Sequence, residues 1–119
     1  MANTMAVSRV ERGTKQFQGM FNEMWAITGT VTDQDAIADD VSVRITLTVP
    51  GVALGDMVIG ISFGKALLDA NAQLVVTGFV SAANTVNMVL TNIDETSDAY
   101  DADVLNDGGF KMLIGRPAW

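Results

Sequence analysis

From Val41 to Val49 apolar and polar residues alternate without a break. Val41, Val43, Ile45, Leu47 and Val49 share one parity, and Ser42, Arg44, Thr46 and Thr48 share the other. A period of two is that of a β-strand with one dry and one wet face. Burying five β-branched or leucine side chains contributes about 1.5–3 kcal/mol each before entropy is counted. Pro50 has no amide hydrogen for a ladder and Gly51 tolerates unusual dihedrals, so the strand stops there.

The same grammar continues downstream. Strand-like MVIGIS follows the turn at Gly55-Asp56. The segment ALLDA is a single helical turn or a tight loop, too short for an independent helix. LVVTGFVS is apolar on both parities: Leu74, Val76 and Val80 on one, Val75 and Phe79 on the other. Two apolar faces mark a central strand covered on both sides, or a strand at a subunit interface. AAN turns the chain back into TVNMVLTN, which predicts a hairpin around Ala82–Asn84. Upstream, MWAITGTVT places Trp25, Ile27, Gly29 and Val31 on one parity, and FKMLIG closes the series before RPAW. Strands at this spacing, with no 10–15-residue helical pattern, predict an all-β antiparallel sandwich or barrel-like domain.

Residues 1–23 show neither a period of two nor one of 3.6. They are predicted to be an extended N-terminal arm that orders on a partner, with residues 24–119 as the β domain. Phe17, Met20 and Phe21 are its candidate contacts, because a purely disordered tail has little use for three large apolar residues so close together. The second apolar parity of LVVTGFVS adds Val75 and Phe79. Arg116 and Trp119 join them, since Trp and Arg are enriched among interface anchors.

A length of 119 residues suits one domain. Charged residues are 18% and hydrophobic residues 49%, more apolar surface than one small core needs, and the surplus predicts a homo-oligomer. Residues 1–20 carry Arg9, Arg12 and Lys15 against Glu11, a local +2; the rest carries four bases against thirteen acids, a local −9. An acidic body repels phosphates, which argues against nucleic-acid binding. No apolar run reaches transmembrane length, and the first residues lack the apolar core of a secretory signal, so no membrane role is expected.

The chain has neither cysteine nor histidine, which removes the commonest general base and the usual zinc ligands. Residues 94–109 are rich in acids, but an EF-hand laid on Asp101 meets Leu105, Asn106 and Met112 where calcium ligands and the glycine are required. No phosphate loop is present, Ser62 and Lys65 lack the context of a serine–lysine nucleophile, and the many acids give no specific pair for glycosidase work. Neither an enzyme nor a cofactor is expected, and the acidic stretch is expected to be a solvated loop.

The turns and strands of VPGVALGDMVIGIS and QLVVTGFVSAANTVNMVLTN resemble small virion proteins of tailed bacteriophages, above all the decoration, or cement, proteins of icosahedral capsids. The residues that carry the likeness are Val49-Pro50-Gly51, Ala53-Leu54-Gly55-Asp56 and Val80 to Val86, followed by Asn92. The resemblance implies a β-rich, non-catalytic protein on the outer capsid surface, often trimeric, with the major capsid protein as its partner. Another virion part (a head fibre base, connector or tail component) or a carbohydrate- or calcium-binding adhesion module are the alternatives.

Overall fold

A computed structural model of the chain describes residues 3–13, 19–94 and 97–119. The alternating run is realised as strand β3 (Ser42–Thr48), in order after β1 (Thr4–Gly13) and β2 (Phe21–Asp33). It is followed by β4 (Met57–Phe63), β5 (Leu68–Asp69), β6 (Ala72–Ala82), β7 (Thr85–Asn92) and β8 (Phe110–Pro117). No helix occurs among the described residues. The strands make two antiparallel four-stranded sheets, ordered β1-β2-β8-β4 and β3-β7-β6-β5.

The parities predicted from sequence set the inner faces. Trp25, Ile27 and Val31 of β2 lie beside Phe110, Met112 and Ile114 of β8, and all are buried. Across from them are Ile45 and Leu47 of β3, Val86, Met88 and Leu90 of β7, and Leu74 and Val80 of β6. Val49 is buried, but Val43 is only half-buried and Val41 is exposed, so the dry face of the alternating run begins two residues late. The sheets approach closely where β4 crosses β6. A Cβ on Gly78 would sit 3.0 and 3.1 Å from the Val58 and Ile61 side chains. The architecture is therefore a sandwich whose edges close towards each other.

The β6–β7 hairpin turns at Ala83-Asn84, with Asn84 in the left-handed region at φ 61°. Asparagine tolerates that region better than most residues. Of the two alternatives for ALLDA the structure has the tight turn, across which Leu68 and Asp69 pair with Gln73 and Ala72. Of the two for LVVTGFVS, coverage on both sides is excluded within this chain, because Val75 and Phe79 on the outward face are exposed. Residues 4–13 of the expected arm are extended but do not stand apart. They pair with β2 from Thr4↔Asp33 to Gly13↔Met24, bury Met5, and lay Val7 and Val10 against the core. Phe21–Glu23 likewise belong to β2.

Candidate assembly surface

The strands run lengthwise in a body of 45 × 25 × 22 Å, and its two ends differ in chemistry. One end gathers the close of β1, the start of β2, the close of β8 and the segment Pro50–Asp56 that carries the chain from one sheet to the other. Here the inward row of the first sheet ends in charge: Glu23 on β2 is opposite Arg116 on β8, and Arg12 on β1, opposite Trp25, reaches diagonally to Glu23. Asp56 completes the group. Its Oδ1 accepts from Arg116 Nε at 2.9 Å and its Oδ2 from Arg116 Nη2 at 3.0 Å. The same Oδ2 accepts from the Ala53 amide at 2.8 Å, so one carboxylate both closes the turn and ties it to β8.

Arg116 Nη2 also donates to the Gly51 carbonyl at 3.0 Å, and its Nη1 lies 3.5 Å from Glu23 Oε2. Arg12 holds Glu23 in a two-point pair. That hydrogen bond keeps the Glu23 carboxyl below the usual carboxylate range and holds both guanidiniums charged, Arg116 through Asp56 in the same way. Both guanidiniums stand 5.2 Å from the ring centroid of Trp25, which seals the core beneath them. On the other side of the segment, Asn84 Oδ1 accepts from the Gly51 amide and the Asn84 amide donates to the Val52 carbonyl, each at 2.8 Å. This end of the sandwich is thus a braced frame.

On that frame sits an apolar patch, on the outward face of the β1-β2-β8-β4 sheet. Phe21 lies over Gly115, where a Cβ would collide with its ring and with Ile59. Trp119 tilts onto Phe21 with ring centroids 5.9 Å apart, and the Ala118 amide holds the segment by donating to the Met20 carbonyl. Met57 is opposite Gly115 on the neighbouring strand. Trp119 is 78% exposed, Met20 57%, Ile59 46% and Met57 45%. The patch opens onto a shallow trough of about 820 Å³ that runs along the sheet over Ala26, Thr28 and Leu113, between Arg9 and Glu11 on β1 and Ile59 on β4.

The opposite end is acidic. Asp33 closes β2, Asp35, Asp39 and Asp40 follow it, Asp69 closes β5, and Asp94, Asp98, Asp101, Asp103 and Asp107 lie between β7 and β8. The expectation of a merely solvated loop needs correction, because its interior is packed. Tyr100 and Leu105 are fully buried, and Tyr100 bridges to Ile37. Gln34 Nε2 donates to the Asp35 and Asp101 carbonyls, and its Oε1 accepts from the Leu105 amide. Asn92 Nδ2 donates to the Ile37 and Asp98 carbonyls at 3.0 Å each. Two buried amides therefore stitch the loop down and leave most of its carboxylates outside. Among the described residues no cluster of three or more acids comes together as a metal site.

Of the sequence candidates, Met20, Phe21 and Trp119 come together. Arg116 is beneath them but points into the frame. Val75 and Phe79 lie elsewhere, on the outward face of the other sheet among Thr46, Thr77 and Thr91. Phe17 lies outside the described residues. Sequence reasoning missed Met57 and Ile59. Their parity in MVIGISF also holds Ile61 and Phe63, so a regular strand would bury or expose all four together. A bulge between Val58 and Gly60 breaks the phase and sends Ile61 and Phe63 inward while Met57 and Ile59 stay out. Comparison with protein-family models, curated proteins and solved structures finds no match to the chain.

Proposed function

We propose that this protein is a structural virion component: a cement, or decoration, protein that binds the outer surface of an icosahedral phage capsid as a homo-oligomer, with a trimer favoured, and stabilises the shell through the major capsid protein. The observation that carries the reading is the braced apolar end, where Met20, Met57, Ile59 and Trp119 are held in water by a rigid scaffold. Side chains of this kind are costly to expose, and patches of this size mark protein contacts. The resemblance of the PGVALGD and VSAANTV turns to phage cement proteins supplies the class of partner. The opposite, acidic end keeps such particles apart in solution through like-charge repulsion.

Cement proteins act by many weak contacts repeated under symmetry, where avidity multiplies modest affinities. A test adds purified protein to capsids that lack it, then measures occupancy by electron microscopy and shell survival on heating. Binding on the shell lattice with raised thermal survival is expected. Density confined to the tail or the head–tail junction, or bare shells at saturating protein, would overturn the reading.

A further inference from the structure

We infer that the patch of Met20, Phe21, Met57, Ile59 and Trp119 is where one copy of this chain meets another, head to head, with the acidic ends pointing away from the shared axis. The inference deepens the assembly reading above and rests on it for the need to oligomerise. Two observations select a second copy as the occupant. The first is area. Trp119 offers on the order of 200 Å², and Met20, Met57 and Ile59 roughly 100 Å² each, for a total of about 500 Å². That is near the upper limit of what a monomer leaves bare and supplies most of the roughly 800 Å² that each partner contributes to a standard interface. Polar neighbours at the trough margin make up the remainder.

The second observation is charge. The chain carries a net −7, with most of its acids at the end remote from the patch. At the patch end, Arg12 and Arg116 are matched by Glu23 and Asp56. Among the described residues, two or three copies joined at this end therefore bring no uncompensated charge together, and they hold their acidic ends as far apart as a 45 Å body permits. Along the trough, Arg9 is already paired with Glu11 at 2.5 Å, and Lys111 is the other charged residue that lines it. A strongly basic partner would find its complement at the other end of the molecule.

Sedimentation velocity of the full chain, across a concentration series and at two salt levels, tests this. The wild type should be oligomeric at micromolar concentration, with association unchanged or tightened by added salt. Trp119→Ala, which removes only an exposed ring, should weaken self-association at least roughly 30-fold, the effect of an aromatic anchor. Ile59→Lys should abolish it, and the paired change Val75→Ser, Phe79→Ser should leave it intact. A monomeric wild type, an oligomer indifferent to Trp119→Ala, or one dissolved by the β6 changes would overturn the inference. Capsid occupancy, measured separately, reports on the cement reading alone: an oligomer that ignores capsids refutes that reading and leaves this interface standing.

Discussion

Tyr100 is the chain's single tyrosine, so its ionisation can be followed without interference from another. Its ring is fully buried and its hydroxyl donates to the Ala66 carbonyl at 2.5 Å. Burial first, and then the negative charge of Asp69, raise its pKa from 10.0 to about 12. In the unfolded chain it falls back to about 10. The folded state therefore holds this proton more tightly. The stability linked to it is complete below pH 10 and is lost as pH rises from 10 towards 12. Two units correspond to about 2–3 kcal/mol, a large fraction of the roughly 5–15 kcal/mol that holds a small domain together. The measurement pairs urea unfolding between pH 8 and 12 with the near-ultraviolet rise of tyrosinate absorbance. Tyr100→Phe should lose about 1 kcal/mol at neutral pH with its hydrogen bond, yet decline less steeply above pH 10. A tyrosinate midpoint near 10 while the Trp25 circular dichroism signal persists would refute this account. It would place the hydroxyl in water and leave the acidic loop without its anchor.

Three further outcomes are expected. Gly29→Ala puts a Cβ into the Phe110 ring and should cost about 1–3 kcal/mol by overpacking, read as a lower urea midpoint at unchanged slope. Arg116→Met strips the charge partner from the buried Asp56 carboxylate and should cost about 3 kcal/mol, whereas the pair Arg116→Met, Asp56→Asn should recover part of that loss in a thermal melt. Deleting residues 1–13 removes β1, bares an edge of β2 and should lower the melting temperature or precipitate the protein; an unchanged melt would mean that β1 contributes nothing to the core.

What the sequence disclosed followed the regularity of the chain. Thr85–Asn92 has the predicted bounds of β7, and Trp25, Ile27 and Val31 face inward as their parity requires, because an unbroken strand preserves its phase. β1 was invisible for the converse reason. Its inward residues are Met5, Val7 and Val10, and the register shift between Val7 and Arg9 inserts one residue that destroys the period. The shift at Val58/Gly60 concealed Met57 and Ile59 in the same way. The brace was illegible on other grounds. Nothing local links Asp56 to Arg116, sixty positions along the chain, or Gln34 to Leu105; such pairs exist only once the sheets have chosen their neighbours. The patch was half legible, since Met20, Phe21 and Trp119 stand out as large apolar residues in polar surroundings, but their common location depends on β2 and β8 being adjacent.

The position of β8 has a temporal consequence. It lies between β2 and β4, which do not pair with each other. The other sheet uses one contiguous stretch, Ser42–Asn92, apart from the β4 excursion, so none of its pairings waits for β8. The first sheet cannot, because its middle strand is the last of the eight to emerge. Until Phe110–Pro117 leaves the ribosome, the dry face of β3, β7 and β6 has no lid, and β2 has no neighbour on the side that β8 will occupy. Closure of the first sheet thus waits on β8, and the same strand that completes the sheet delivers Arg116 to the brace and brings Trp119 onto Phe21.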